Sequence, residues 1–364
     1  MTVLFDNARK IVQEAVAARV FPAATVDVGD SASSRVQEAF GRLTFLPNAP
    51  PAEVYTVFDL ASLTKVVATT TIVMSLVTSG SVRLEEPVSA FFDDWRGPDR
   101  EEVTLRDLLE HASGLADRLV DAPLQSPMTR REFEYEICRM RLEYKPRTCS
   151  VYSDLDFILV GFLIADRGGR SLSAQFDAMW RRIGTHKGVE ELGDRILIFD
   201  PSGIRPLTAP TIPEDGDVRR GRMLVGEVHD SYAAALGGSA GHAGLFGSVA
   251  AVGGFARLML RAARGHEDLP APFSPELVRR FIHKSEVPRS SRALGWDTML
   301  PTSSCGTRMS ASAFGHVGFT GTSLWIDPDR DRYFVLLTNR ACGGGTSDQM
   351  QAVRRAFHDA LADF

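Results

Sequence analysis

The feature that most constrains the fold is an apolar segment in which a single charged side chain stands. At this chain's average of 24% charged residues, positions 60–82 would carry about five charges, yet they carry only Lys65. Apolar side chains on every side of a helix are typical of a helix in the protein interior. The segment is long enough to cross a bilayer, but its hydroxyl residues and its lysine argue against a membrane span. We therefore predict a buried helix.

Lys65 follows Ser62 by three positions, so the two side chains share one helical face at the first turn. Burial disfavours the ammonium form, lowers the pKa of a lysine and makes the amine a proton acceptor for a neighbouring hydroxyl. Only five of the 41 basic residues are lysines, and an arginine in this position would not release a proton. The alternative interpretation is a snorkelling or salt-bridged lysine.

Length, composition and charge indicate an ordinary globular enzyme-sized chain. With 364 residues and 44% hydrophobic content, it can bury a sizeable core in two subdomains. A net charge of −5 with arginines scattered among acids leaves no basic stripe, which argues against nucleic acid and anionic membranes as partners. A small-molecule substrate and no cofactor are expected, and the oligomeric state is left open.

The four cysteines, at positions 138, 149, 305 and 342, form no CxxC pair and no framework spacing. Free thiols in a reducing cytoplasm are the simplest explanation. Met1 to Val20 has the spacing of an amphipathic helix and lacks the uninterrupted apolar core of a secretory signal. Together these observations predict a cytoplasmic protein.

Strand patterns occur near both ends of the chain, and helical patterns occupy the middle. We predict strands at 24–28, 34–40, 323–326 and 333–337 and a closing helix over 346–364. Helices are expected from a capping box at Thr104 up to Gly114, over 155–165, and over 249–263 after Ser248. This order predicts an α+β fold with one antiparallel sheet built from both termini. Residues 1–58 and 290–364 would form the sheet subdomain and residues 59–289 a mainly helical one, with the site between them.

Two further segments carry side chains suited to chemistry. Tyr152-Ser153-Asp154 precedes the helix at Leu155, so its phenol lies on a loop or a helix start and can reach into a cleft. The segment from Gly315 to Thr322 contains His316-Val317-Gly318 and enters a strand, where glycine allows close approach to backbone N–H groups. A surface tyrosine and a structural histidine are the alternatives for each motif alone.

Taken together and in this order, these elements resemble the serine β-lactamase and penicillin-binding protein superfamily, and specifically its class C-like serine hydrolases. Ser62-Leu63-Thr64-Lys65 matches the first family motif. Tyr152-Ser153-Asp154 resembles the Tyr-x-Asn motif, and His316-Val317-Gly318 resembles the Lys/His-Thr-Gly motif. The resemblance covers roughly residues 15–360 and also includes Leu108 to Leu115 and Gly241 to Gly247.

The resemblance implies a role for each matched residue. Ser62 would be the nucleophile, with Lys65 and Tyr152 sharing general-base and general-acid work and His316 acting electrostatically or as a proton relay. The oxyanion hole would consist of the backbone N–H groups of Ser62 and Phe319. Which of Lys65 and Tyr152 holds the key proton stays open, because coupled groups have no separate pKa values.

The departures from the family pattern concern substrate binding. The position of the family lysine is His316, which is mostly neutral at pH 7, and Val317 cannot donate a hydrogen bond. A substrate carboxylate would therefore bind weakly unless Thr320, Thr322 or an arginine replaces these groups. Gly318 and Thr320 are predicted to contact substrate. Asp154, in place of asparagine, would stabilise a protonated Lys65 or favour a substrate amine.

Several other residues are weaker candidates. Glu227, His229, Asp230 and His242 have side chains that suit zinc or iron. Hydrogen bonds that cap loops and position the 241–247 segment explain them more simply, and no metal is predicted. His111 is interpreted as a structural residue at a helix C-terminus, and the glycines at 343–345 as a loop.

Three functions remain. The first is a serine hydrolase that cleaves small esters or D-amino-acid peptide amides, including soluble peptidoglycan fragments, through an acyl-enzyme on Ser62. The second is a true class C-type β-lactamase. The third is a non-catalytic acyl-binding module with the same fold.

Overall fold

A computed structural model describes residues 2–119, 128–187, 189 and 196–364. The α-helices in these ranges are α1 Thr2–Ala17, α2 Thr71–Thr78, α3 Leu105–Leu109, α4 Arg130–Arg139, α5 Asp154–Gly168, α6 Leu172–Gly184, α7 Ser231–Ala235, α8 Val249–Ala263, α9 Pro275–Ile282 and α10 Ser347–Ala360. The strands are β1 Ala23–Gly29, β2 Ser34–Gly41, β3 Val57–Asp59, β4 Leu197–Ile198, β5 Phe246–Ser248, β6 Asp297–Thr298, β7 Phe314–Val317, β8 Ser323–Asp327 and β9 Arg332–Thr338. A π-helical segment covers Lys65–Thr70, and short 3₁₀ helices cover Val88–Ala90 and Ser202–Leu207.

The main sheet is antiparallel and has the order β2-β1-β9-β8-β7-β6. Val26 of β1 lies opposite Glu38 on one neighbouring strand and opposite Leu336 on the other. The first and last long strands of the chain are therefore partners. This arrangement confirms the predicted sheet from both termini, including the hairpin through Asp327 and Arg332.

Alternating side chains along the strands give the sheet two apolar faces, each covered by helices. One face packs against α1 and α10 through residues such as Phe5, Trp325 and Phe357. The other packs against α8, whose Phe255 shares a cluster with Val335. Helix α8 lies within 59–289, the range predicted to form the helical subdomain, yet it packs against the sheet. The division of the chain into two subdomains stays a prediction.

A second, smaller sheet leads the chain into the buried helix. It has the order β3-β5-β4, and Asp59, its last β3 residue, lies three positions before Ser62. The following segment is buried, as predicted: Val66, Ala68 and Val73 are all fully inaccessible. Its first part is π-helical rather than α-helical, a geometry that occurs often at functional sites.

The other predicted helices are found with small changes of boundary. Ser153 caps α5 by accepting a hydrogen bond from the Asp156 N–H, and the Asp107 carboxylate accepts from the Thr104 N–H at the start of α3. The prediction that this helix continues to Gly114 is wrong. It ends at Leu109, because His111 adopts a left-handed backbone with φ of 55°.

None of the helices in the described ranges combines the length and the apolar character that a membrane crossing needs.

Candidate active site

Ser62, Lys65 and Tyr152 meet at the start of the buried helix. Lys65 Nζ lies 3.0 Å from Ser62 Oγ, and the Tyr152 hydroxyl lies 2.7 Å from the same oxygen. The lysine is fully buried, and its Nζ lies 4.9 Å from the centre of the Tyr152 ring. The hydroxyl of Ser62 thus contacts two groups that can carry a proton, which is the arrangement of an activated nucleophile.

The backbone before Ser62 is held in an uncommon conformation. Ala61 has φ of 47°, a left-handed value that costs an alanine energy. The Asp59 carboxylate accepts a hydrogen bond from the Ala61 N–H at 2.8 Å and another from the His229 N–H at 2.7 Å. These bonds fix the turn from which the serine side chain emerges.

The protonation state of Lys65 differs from the prediction. Burial alone lowers the pKa of Lys65, as expected, but the negative charge of Asp154 and the Tyr152 phenol raise it by more. The pKa therefore lies above its ordinary value of 10.5. At neutral pH the resting side chain is an ammonium, and the prediction that burial alone removes its proton is wrong.

Asp154 is the direct partner of that ammonium and the first member of a chain of charges. Its Oδ1 lies 2.7 Å from Lys65 Nζ, and its Oδ2 lies 3.3 Å from Arg118 Nη1. Arg118 also contacts Asp230 at 3.3 Å, and Asp230 accepts a 2.7 Å bond from His242 Nε2. Both oxygens of Asp154 thus face cations of the protein, which makes it a counterion of Lys65. Asp154 also lines the cavity beside Ser62, and its contact with substrate stays a prediction.

The turn after β7 is attached to the chain just before Ser62. Thr320 Oγ1 donates to the Asp59 carbonyl at 2.8 Å, and Thr322 Oγ1 donates to the Leu60 carbonyl at 3.0 Å. Both threonines are buried. Their hydroxyls therefore join two elements, and the contact of Thr320 with substrate stays a prediction.

This attachment brings Phe319 to the same cavity as Ser62. A Cβ on Gly318 would lie 2.6 Å from the Leu60 carbonyl oxygen, so the two backbones are in close contact. Within the described parts of the chain, neither the Ser62 N–H nor the Phe319 N–H has a hydrogen-bond acceptor. Two unpaired donors next to a nucleophile are what a developing oxyanion requires.

His316 lies on the same wall and is neutral. Burial, followed by the positive charges of Arg292 and Lys65, holds the pKa of His316 well below its ordinary value. Its Nδ1 donates to the Val317 carbonyl at 2.8 Å, so the other ring nitrogen, Nε2, is the one with a free lone pair. Among the described residues Nε2 has no partner, and the Tyr152 ring lies 6.0 Å away.

His111 is structural, but in a different way from the prediction. Its Nδ1 lies 3.1 Å from Asp156 Oδ2 and 3.1 Å from the Ser153 backbone nitrogen. The centre of its ring lies 4.8 Å from the centre of the Tyr152 ring. Burial raises the pKa of Asp156 well above its ordinary value. Burial also lowers the pKa of His111 well below its ordinary value. This neutral, buried pair supports Tyr152 instead of capping a helix C-terminus.

The four residues that suit a metal do not all converge. Glu227 pairs with Arg222 at 2.7 Å, and His229 Nε2 donates to the Ile212 carbonyl at 3.0 Å. Both side chains therefore have other partners, which agrees with the simpler interpretation that they hold loops in place.

Asp230 and His242 do lie close together, and with Asp154 they bring three donor atoms within 4.8 Å of one another. The carboxylates already contact Arg118 and Lys65, whose charges would repel a cation. Asp230 also caps α7 by accepting from the Ala233 N–H. These contacts favour a hydrogen-bonded role for the cluster.

Ser62 lines a cavity of about 450 Å³ between the sheet and the helical part. Sequence reasoning missed four arginines in its lining, Arg118, Arg292, Arg340 and Arg354. For Arg354 a signal existed, because it shares the buried stripe of α10 with Met350, Phe357 and His358. Burial and the neighbouring Arg340 lower the pKa of Arg354 to about 9.

Similarity to known proteins extends over most of the chain. The Beta-lactamase family model matches residues 8–357. A protein of Escherichia coli (strain K12), provisionally named a D-alanyl-D-alanine carboxypeptidase, is 31% identical over 316 residues, which cover 78% of this chain and 69% of that protein.

Two solved structures show the same β-lactamase/transpeptidase-like fold. EstCE1, described as a hydrolase with promiscuous acyltransferase activity, has a TM-score of 0.75 at 18% identity and covers 98% of this chain and 99% of its own. A class C beta lactamase from Rhodobacter sphaeroides has a TM-score of 0.72 at 17% identity. The match covers 98% of this chain and 99% of the lactamase chain.

Proposed function

Because the chain belongs to the beta-lactamase family, we propose that this hydrolase is of the serine type and acts through an acyl-enzyme on Ser62. Its substrates would be small esters or D-amino-acid peptide amides. The observation that carries the proposal is the contact of Ser62 Oγ with both Lys65 Nζ, at 3.0 Å, and the Tyr152 hydroxyl, at 2.7 Å.

In the proposed acylation, Ser62 Oγ attacks the substrate carbonyl carbon while its proton passes to the pair formed by Lys65 and Tyr152. The pKa of Tyr152 is raised, chiefly by burial, and Lys65 is an ammonium at rest. The pair therefore has to lose one proton before it can accept that of the serine, and it titrates as a unit. The same pair then protonates the leaving group.

The tetrahedral intermediate would place its oxyanion between the N–H groups of Ser62 and Phe319. Each such donor contributes about 3–4 kcal/mol to transition-state stabilisation. Collapse of the intermediate expels the alcohol or amine and leaves an ester on Ser62. Water, deprotonated by the same pair, then attacks this ester and releases the acid.

Two kinds of substrate are supported by different observations. The provisional name of the Escherichia coli relative supports D-alanyl peptides, and the description of EstCE1 supports acyl hydrolysis more broadly. Recognition of a peptide carboxylate would rest on Arg292, which lines the cavity, since Val317 cannot donate. A simple ester needs no carboxylate recognition, so we place small esters first.

The free thiols of the four cysteines support a cytoplasmic location.

The test is covalent labelling followed by intact-mass measurement. We expect a fluorophosphonate probe to add one adduct to the wild type and none to Ser62→Ala. Ser347→Ala is the matched control, because Ser347 is exposed and lines the same cavity, and it should label like the wild type. An unlabelled wild type would contradict the proposal. Parallel turnover of p-nitrophenyl esters, D-alanyl peptides and nitrocefin ranks the substrate classes, and nitrocefin hydrolysis would indicate the β-lactamase alternative.

A further inference from the structure

Strand β7 is longer than its neighbour β6, and the C-terminal end of β7 lies at the cavity. β6 pairs only with Phe314 and Gly315 of β7. Val317, Gly318 and Phe319 continue beyond this paired part and line the cavity next to Ser62. An unpaired strand edge of this kind offers N–H and C=O groups with which an extended peptide can pair.

The carbonyl groups at this end of the strand already have donors from the protein itself. His316 Nδ1 donates to the Val317 carbonyl at 2.8 Å. Arg340 donates to the Phe319 carbonyl twice, from Nε at 3.2 Å and from Nη2 at 2.6 Å. Both bonds come from one charged guanidinium, so a substrate N–H would have to share the Phe319 carbonyl oxygen with a strong donor of the protein.

Arg340 is held firmly in this position. Its guanidinium lies 4.7 Å from the centre of the Phe319 ring, and that ring stacks on His229 at 5.3 Å. Its Nη1 donates to the Gly345 carbonyl at 3.1 Å. Stacking and three hydrogen bonds restrain the arginine, so a substrate has to compete with a fixed donor for the Phe319 carbonyl.

The Gly318 carbonyl is occupied as well. It accepts from Arg354 Nη2 at 2.7 Å and from the Gly321 N–H at 3.0 Å. The Phe319 N–H, in contrast, has no acceptor among the residues that the structure describes. Among the described residues beside Ser62, the Phe319 N–H can therefore donate to a substrate carbonyl oxygen. The carbonyls of Val317, Gly318 and Phe319, in contrast, each already accept from a group of the protein, and that of Phe319 accepts from a charged arginine.

We infer that this cavity selects acyl groups that carry no N–H on the carbon next to the reacting carbonyl, so that esters of simple carboxylic acids are preferred over peptide-like acyl donors. The inference rests on the proposed acylation of Ser62 and narrows its substrate class. A peptide-like donor would lose water from its N–H on entering the site and would have to compete with Arg340 for the Phe319 carbonyl. The donor Arg340 is the residue that sets this preference.

The test compares two p-nitrophenyl esters that differ in one group. N-acetylglycine p-nitrophenyl ester carries an N–H where 4-oxopentanoic acid p-nitrophenyl ester carries a CH₂, and the leaving group is the same. We expect the ratio of kcat/KM values, N–H over CH₂, to be about one or lower in the wild type. In Arg340→Ala, which frees the Phe319 carbonyl, the ratio should rise by about three- to tenfold.

The ratio cancels any loss of activity common to both esters, and Arg280→Ala, on α9 outside the cavity, should leave it unchanged. A wild-type ratio of about ten or more would overturn the inference without any variant. So would a ratio that Arg340→Ala does not raise. If the wild type releases no more p-nitrophenol than Ser62→Ala, the proposed function fails, and this inference fails with it.

Discussion

At the scale of single residues, the charge on Asp154 determines the chemistry of Lys65. Burial of both side chains removes most of their hydration, yet the 2.7 Å contact between them favours the charged forms. The pKa of Lys65 is raised and that of Asp154, despite its burial, is lowered by Lys65 and other cations.

For Lys65, the stabilisation from this pair is present below its ordinary pKa and is lost as pH rises through the folded-state value. For Asp154, it is present above the ordinary carboxyl pKa and is lost as pH falls through the folded-state value.

Replacing Asp154 by asparagine should therefore activate the enzyme at lower pH. Without the carboxylate the pKa of Lys65 falls, and a larger fraction of the Lys65–Tyr152 pair is ready to accept the Ser62 proton at neutral pH. We expect the rising limb of the kcat/KM profile to move to lower pH by about one to three units. Ester hydrolysis measured from pH 5 to pH 11 tests this shift.

The control for this experiment is Asp297→Asn, which removes a carboxylate that lines the same cavity without contact to Lys65. Its profile should coincide with that of the wild type. If Asp154→Asn leaves the rising limb in place, Asp154 does not control the proton of Lys65.

At the scale of elements, the site depends on how the turn after β7 is fixed to the segment that precedes Ser62. The hydroxyls of Thr320 and Thr322 bond to the carbonyls of Asp59 and Leu60, and Gly318 makes the close approach possible. The turn before the buried helix supplies the Ser62 N–H, and the turn after β7 supplies the Phe319 N–H. Their spacing is therefore a property of the contact between the two elements.

A methyl group at Gly318 should disturb this contact. In Gly318→Ala the new Cβ would lie 2.2 Å from Thr322 Oγ1 and 2.6 Å from the Leu60 carbonyl oxygen, so the turn has to move. Because a displacement of about 1 Å at such a site costs on the order of a hundredfold in rate, we expect kcat/KM for esters to fall by at least tenfold. Steady-state kinetics, with circular dichroism to confirm folding, measure the effect.

Gly203→Ala provides the comparison, because a Cβ at Gly203 would meet no heavy atom within 4 Å. That variant should retain wild-type kinetics. Full activity in Gly318→Ala would show that the oxyanion donors do not depend on this turn.

At the scale of the whole molecule, one apolar cluster extends through the sheet and the helical part. It includes Leu63 of the nucleophile helix, Leu159 of α5, Phe255 of α8 and Val335 of β9. Segments that share a continuous core tend to open together. The two predicted subdomains would then unfold as one cooperative unit, although their chain segments are far apart in sequence.

Native-state hydrogen exchange tests this cooperativity. We expect the most protected amides of α5 and β9 to exchange with the same opening free energy, and both values to fall in parallel as urea is added. Amides in the loop segment 213–226 should exchange at a lower free energy and serve as the internal reference. A distinctly lower value for α5 than for β9 would show that the helical part unfolds independently.

Local patterns in the sequence predicted the elements and the central pair of the site. The buried helix, the terminal hairpins and the closing helix follow from periodicity and turn residues, which act over a few positions. Ser62 and Lys65 are three residues apart at the turn that begins the buried helical segment, so their contact also follows from local geometry. For the same reason the buried stripe of α10, which contains Arg354, could have been identified from spacing.

Only the tertiary structure decided how these groups are charged and what surrounds them. Lys65 meets Asp154 across 89 positions of the chain, and Arg340 meets the Phe319 carbonyl across 21. The sign of the Lys65 pKa shift depends on which of two large effects is larger: burial, which lowers the pKa, or the Coulomb attraction of neighbouring groups, which raises it. The first can be inferred from an apolar sequence, but the second depends on distances of a few ångströms to side chains that only folding brings together.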